Sequence, residues 1–340
     1  KKAQALTEEK ELKLQLSKAF LYQGNAEWFQ GNYQNAFRMQ KEALKVAEEI
    51  EHHHQQVLIY NTLGLIYWTL NDSKRALDNL DKSREMAEKQ KAYLDVASAY
   101  NNMGLVYRKD ENYPKSIELF NEALKRDLKL KSKWGQGYTH RNLGISYLRM
   151  KELDQAEQHI KQAIAFSSEI GNNTNLVKAK LELGHLGLER KQCQSAIGIF
   201  KETAGLAKRY NLKEVLWRAL RGQGACLKQM GQAPAAIEAY KQAVTVVDSM
   251  RASIKVEEFQ NGFLTDKQDV YKELILLLLD SGKVQASFEY AERAKARSFI
   301  DLLGNQKMSL KDDVSQGMYN SLTDQKQVIR EIEERLSNTE

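Results

Sequence analysis

Proline occurs only twice in the 340 residues, cysteine only twice, and the longest unbroken apolar run is LILLLL at 274–279. Each shortage excludes something. Two cysteines, Cys193 and Cys226, cannot build a disulfide framework and fit a reducing compartment. A run as short as LILLLL cannot span a bilayer. The opening KKAQALTEEKEL carries two lysines with no apolar core behind them, so it is not a signal peptide. Charge of one sign is not in excess either: 51 basic against 45 acidic residues leave a net +6. That is mildly basic with the signs mixed, and does not by itself call for nucleic acid. With 42% hydrophobic and 28% charged residues the composition is not that of a disordered chain. So little proline leaves long helices uninterrupted. The chain reads as soluble and cytoplasmic. It does not open on methionine, and reads as a piece of a longer protein.

What is present is a period. Gly24, Gly64, Gly104, Gly144, Gly184 and Gly224 follow one another at intervals of 40 residues. Twelve residues after each stands Ala36, Ala76, Ser116, Ala156, Ala196 or Ala236. Four further on stands Gln40, Leu80, Phe120, Ile160, Phe200 or Tyr240, and three beyond that Ala43, Ser83, Ala123, Ala163, Thr203 or Ala243. Three residues after the glycine, the middle repeats carry Tyr67, Tyr107 and Tyr147. The spacing predicts two helices per repeat. Leu143, Gly144 and Tyr147 share a face of the first; Ala156, Ile160 and Ala163 share a face of the second. Small residues let the two backbones approach, and the large ones fill the gap. Pro114 and Pro234 each fall ten residues after a glycine, in the first turn of a second helix, where a missing N–H costs nothing.

This pattern resembles the tetratricopeptide repeat (TPR) family across about residues 17–256. The resemblance implies an all-α fold, a right-handed TPR superhelix or α-solenoid. Glu27, Gly187 and Leu227 replace the tyrosine and Gln40 replaces the large apolar residue, so the first, fifth and sixth repeats are expected to pack less regularly. The period of 40 exceeds the usual length of about 34, and the extra residues should lengthen the helices by more than a turn.

The expected division is residues 1–256 for six repeats with an N-terminal helical extension, 257–304 for an atypical seventh repeat or cap, and 305–340 for a helical connector or tail. After Met250 the phase is lost. A helix pair broken at Ser281-Gly282 is expected, with Ala286, Tyr290 and Ala294 on its inner face, and Val328, Ile329, Ile332 and Leu336 form a helical stripe in the tail. EEFQNGFLTDKQDVYKELILLLL followed by YAERAKARSFIDLLG, within about 246–304, resembles the last repeat of TPR–CHAT proteins. In that family a TPR array precedes a caspase-like cysteine peptidase domain. The resemblance implies the regulatory region of such a bacterial peptidase, with the catalytic histidine and cysteine outside this chain. One branch of the family acts with an RNA-guided CRISPR effector.

No catalytic constellation is found within the chain, and no residue is expected to ligate a metal or a cofactor. Adjacent histidines on a helix point about 100° apart, so His52, His53 and His54 in EHHHQQ cannot converge on one ion. Cys193 and Cys226 lie within repeat helices, with no base nearby in sequence to activate a thiolate. None of the periodic glycines sits in a phosphate-binding motif.

The candidate site is the concave groove lined by first helices. Counted from the glycine, positions −6, −3, −2, +1, +4 and +5 should face it. This gives Tyr22, Asn25 and Trp28; Asn61, Thr62 and Trp68; Asn101, Asn102, Arg108 and Lys109; Arg141, Asn142 and Arg149; Glu182, His185 and Glu189; Arg218, Arg221 and Lys228. Asparagines on successive helices suit an extended peptide backbone. Arginines suit its carboxylates, and Trp28 and Trp68 suit apolar anchors. The expected partner is a protein or peptide with an acidic surface, and on the CRISPR-associated branch an RNA-guided effector complex. A pI of 8.9 and the presence of Glu182 and Glu189 argue against direct nucleic-acid binding. Two alternatives stay open: a stand-alone TPR signalling adaptor, and an intramolecular clamp on a peptidase domain of the same protein.

Overall fold

The computed structural model describes residues 2–29, 32–252 and 267–305. Among them are fourteen helices and no strand. The first pair is α1 (Lys2–Phe29) and α2 (Tyr33–Glu49), the second α3 (His53–Thr69) and α4 (Ser73–Lys89), the third α5 (Tyr93–Lys109) and α6 (Tyr113–Lys129). The fourth is α7 (Lys133–Arg149) and α8 (Leu153–Glu169), the fifth α9 (Asn173–Glu189) and α10 (Cys193–Arg209), the sixth α11 (Lys213–Gln229) and α12 (Ala233–Ala252). A seventh pair, α13 (Gln268–Asp280) and α14 (Val284–Asn305), closes the series. Helices pack on their neighbours in sequence, which makes the molecule an all-α solenoid.

Ten consecutive helices, α2 to α11, are each 17 residues long, and three residues join each to the next. The backbone therefore repeats every 20 residues, although the sequence repeats every 40. The surplus over a shorter TPR unit lies in the helices. The junctions between repeats use the same turn as the junctions within them. Its middle residue is left-handed throughout, from Glu51 (φ 54°) and Asn71 (φ 61°) to Lys191 (φ 59°) and Gly231 (φ 73°). Around it runs a Schellman closure: the Asp72 N–H donates to the Tyr67 carbonyl at 3.0 Å, and the Glu152 N–H to the Tyr147 carbonyl at 3.0 Å. The residue that makes this bond also caps the next helix. The Asp72 carboxylate accepts from the Arg75 N–H at 3.0 Å, and the Ser132 hydroxyl from the Gly135 N–H at 3.1 Å.

The glycine period is a packing period. A Cβ on Gly64 would stand 2.5 Å from Leu80, one on Gly104 2.6 Å from Phe120, one on Gly144 2.7 Å from Ile160 and one on Gly184 2.5 Å from Phe200. Each large side chain is fully buried against the glycine sixteen residues before it. In the first pair the partner is Gln40, also fully buried, whose amide donates to the Leu21 carbonyl at 3.2 Å and to Asn25 Oδ1 at 3.1 Å. The irregularity expected of the fifth repeat is absent: α9 and α10 keep the common length, and Ala196 approaches the space left by Gly187.

The phase ends in α12, which runs three residues past the common helix length, to Ala252. The break at Ser281-Gly282 is present, with Gly282 at φ 71°. Ala286, Tyr290 and Ala294 pack against the core of the fifth and sixth pairs. The seventh pair thus extends the same core. The connector stripe Val328–Leu336 and part of the 257–304 segment lie outside the described residues.

Candidate functional site

First helices line a groove. A cavity of about 860 Å³ runs along the array, bounded by side chains of α3, α5, α7, α9, α11 and α13, with Glu111, Tyr113 and Lys151 at the turns. Of the residues expected there, Trp68, Arg108, Lys109, Arg149, Glu182, His185, Glu189, Arg218 and Arg221 line it. Position +4 contributes Trp68 and Arg108 early in the array; positions −6 and −3 contribute Arg218 and Arg221 late in it. The cavity therefore crosses the first helices obliquely, from the C-terminal turns of α3 and α5 to the N-terminal half of α11.

The asparagines do something other than expected. Asn102 Nδ2 donates to Asn61 Oδ1 at 2.9 Å, and Asn142 Nδ2 to Asn101 Oδ1 at 3.3 Å. Both bonds join position −2 of one first helix to position −3 of the previous one, so the amides form a ladder between neighbouring repeats. Asn101 and Asn142 are buried, as is Arg141, whose guanidinium lies 4.7 Å from the Tyr138 ring. These three sit below the groove surface. Adjacent first helices pack side by side, and buried amides must find partners there.

The aromatic and terminal positions also differ. Trp28 Nε1 donates to Thr69 Oγ1 at 3.0 Å, so Trp28 bridges the first two pairs. Trp68 lies under Lys109, whose ammonium sits 5.0 Å from the indole and bonds the Trp68 carbonyl at 2.7 Å. Tyr22 is exposed and Asn25 accepts from Gln40; neither lines the cavity.

A polar chain runs through the array beneath the groove. Asp127, 3% exposed, accepts from Thr139 at 3.0 Å. Thr139 accepts from Asn101 at 2.6 Å, Asn101 accepts from Asn142, and Arg108 Nη1 donates to the Asn142 carbonyl and Oδ1, both at 3.3 Å. Arg108 thus emerges at the cavity on a buried scaffold. Desolvation and the charge of Arg141 hold its pKa down, to about 10, so it stays charged at neutral pH.

At the far end the groove carries its own carboxylates. Arg221 Nε and Nη2 reach the Glu273 carboxylate at 3.0 and 2.5 Å, and Asp269 lies 3.7 Å away. Arg218 pairs with Glu214 at 2.8 Å. Sequence reasoning did not place Asp269, Glu273 or Trp217 in the groove, because the seventh pair keeps no register with the other six.

Other candidate chemistry resolves into structure. His52 Nδ1 accepts the Gln55 N–H at 3.1 Å as the cap of α3, and His54 lies 3.4 Å from Asp95. Among the described residues no cluster of three or more His, Cys, Asp and Glu is disposed to hold a metal ion. Cys193 and Cys226 are buried, and burial pushes the Cys226 thiol up to about 12, away from nucleophilic reactivity. Among the described residues no helix is long and apolar enough to cross a membrane.

The array agrees with known proteins. A tetratricopeptide-repeat family model matches residues 15–89 and 95–169, and a second matches 61–128. No curated protein matches the chain. Among solved structures, the apo form of RapI is similar over 83% of this chain and 98% of its own, at 15% identity and a TM-score of 0.62. A Rap protein complexed with Competence and Sporulation Factor is similar over 84% of this chain and 76% of its own, at 14% identity and TM-score 0.60. A signal-transduction ATPase with a tetratricopeptide repeat sensor, from Pyrococcus horikoshii, is similar over 83% of this chain and 42% of its own, at 16% identity and TM-score 0.59. At such identities the likeness is one of fold. The chain is a TPR-type helical repeat array.

Proposed function

We propose that the protein is an interaction scaffold whose groove takes an extended segment of a partner protein or peptide. The observation that carries this is the continuous cavity of about 860 Å³ spanning six successive pairs, with Trp68 and Trp217 among its walls. A concave surface shared by many repeats suits a long, thin ligand better than a compact one. A fold neighbour, the Rap protein, was crystallised with Competence and Sporulation Factor, and another is described as a repeat sensor; both are consistent with this use. The groove residues we assign to the ligand are Trp68, Arg108, Arg149 and Arg218. Asn61 and Asn102 border them. The partner we expect carries acidic side chains.

Selection of peptides from a random display library against the purified protein tests the reading. Recovered peptides should lose about tenfold or more in affinity on Trp68→Ala, which removes an aromatic anchor. Peptides that bind Trp68→Ala and Arg218→Ala proteins as well as the original would place the ligand elsewhere.

A second reading concerns context. The 246–304 segment has the wording of a TPR–CHAT hand-over repeat, and α13–α14 extends the array's core while adding Glu273 and Asp269 to the groove. We infer from this that the array regulates a caspase-like peptidase, on the CRISPR-associated branch together with an RNA-guided effector. Capture from source lysate with and without nuclease tests it. Neither a peptidase nor a ribonucleoprotein in the eluate would remove the context and leave the scaffold.

A further inference from the structure

Basic side chains lining the groove fall into two groups. At the far end each has a carboxylate: Arg221 has Glu273, and Arg218 has Glu214. In the middle they do not. Of the charges that bear on Arg108, Arg141 and Arg149 are like it and only Glu182 opposes it. Three guanidinium groups therefore share one carboxylate on a floor where Arg108 is half-buried and Arg141 is 8% exposed. Unbalanced charge at such a depth is costly unless something neutralises it.

The hydrogen-bonding capacity is also unspent. Among the described residues Arg108 uses only Nη1, on the two oxygens of Asn142, and leaves the Nε–Nη2 edge that reads a carboxylate in two bonds. Arg149 is exposed, lines the same cavity, and has no carboxylate contact among the described residues. Trp217, 2% exposed and also lining the cavity, has an indole N–H with no acceptor among them. Arg221 with Glu273 is the filled counterpart: the same cavity holding one carboxylate in bidentate geometry.

We propose that Arg108 and Arg149 form a carboxylate site in the middle of the groove, which takes one aspartate, glutamate or C-terminal carboxylate of a bound peptide. This rests on the groove being the ligand site. Asn142, Asn101 and Thr139 act as positioning residues, because they fix Arg108 through the buried chain that ends at Asp127. The carboxylate would restore at the centre the balance that Glu273 supplies at the end.

Fluorescence anisotropy with a labelled hexaglutamate amide, and hexaglutamine amide as its uncharged counterpart, tests the site at moderate salt. The original protein should bind hexaglutamate and ignore hexaglutamine. Arg149→Gln, an exposed change with little bearing on the fold, should weaken binding about tenfold, and Arg108→Gln with Arg149→Gln about a hundredfold. Arg75→Gln, remote from the cavity, should change nothing. Inorganic phosphate at millimolar concentration should compete weakly; competition as strong as that of free glutamate peptides would make the site a general oxyanion site and overturn the carboxylate assignment. No hexaglutamate binding, or equal binding by the double variant, overturns it also. Display-selected peptides separate the two levels: if they bind the double variant unchanged, the groove reading survives and the carboxylate site does not.

Discussion

The imidazoles of His140 and His159 meet Nδ1 to Nδ1 at 2.8 Å across the α7–α8 interface. One nitrogen donates and the other accepts, so the pair holds together only while at least one ring is neutral. Phe166 stacks on His140 and Tyr147 on His159, which completes a column of four rings. Burial and the neighbouring His159 hold His140 down to about 4, from an ordinary 6.5. The unfolded chain therefore takes up a proton first. The stabilisation is whole above about pH 6.5 and is lost as pH falls toward 4, with the partly exposed rings limiting the loss to about 1–2 kcal/mol. Urea unfolding from pH 7 to pH 4 should reveal it, and His140→Phe, which keeps the column, should flatten the curve. Parallel curves for the two proteins would dismiss the pair as a pH-sensitive element.

Asp127 has the opposite sign. Desolvation raises its pKa to about 6, and the Thr139 hydroxyl only partly offsets that. The folded state binds the proton more tightly than the unfolded one, so this residue stabilises more as pH falls from about 6 toward 3.8. At neutral pH its charge is a cost. Asp127→Asn keeps an acceptor for Thr139 and should raise stability by about 2 kcal/mol at pH 7, with the advantage gone near pH 4. A destabilised variant at pH 7 would mean that the carboxylate is compensated by something other than Thr139.

Gly104 and Phe120 are one packing unit, with a Cβ on Gly104 falling 2.6 Å from the ring. Gly104→Ala should destabilise by about 1–3 kcal/mol despite alanine's better helix propensity. Adding Phe120→Leu should recover part of that loss, a coupling that a double-mutant cycle measures directly. Additive losses would show that the glycine matters for some other reason.

The Arg221–Glu273 pair ties α13 to α11. Glu273→Gln should leave hydrogen-exchange protection in α5–α10 unchanged and lower it in α13 and α14, since terminal units of a solenoid open independently. A uniform fall across all pairs would instead indicate that the array unfolds as one unit.

Much of the fold was legible because its rule is local. Gly64 with Leu80, or Gly144 with Ile160, announces a close helix crossing from spacing alone. The turns were legible only in part. Lys91, Glu111 and Lys131 occupy left-handed positions that glycine would ordinarily mark, so residue type hid the 20-residue backbone period within the 40-residue sequence period. In the groove, helix geometry located Trp68, Arg108 and Arg221 correctly on the first helices. It did not reveal that Asn101 and Asn142 spend their amides on each other, because that depends on how neighbouring repeats pack. Nor did it find Glu273, which reaches the groove from outside the periodic register.

The turn residues that end one helix and begin the next leave the array no slack. Asp72 closes α3 with its N–H and opens α4 with its carboxylate, so a residue inserted there would have to abandon one of the two tasks. It would also rotate everything after it by about 100°, carrying the glycine stripe off its partner. Deletions face the same arithmetic. Growth and loss in this chain are therefore quantised: whole helix pairs can be gained or shed, with groove length changing in steps, while the interior of each pair stays closed to changes in length.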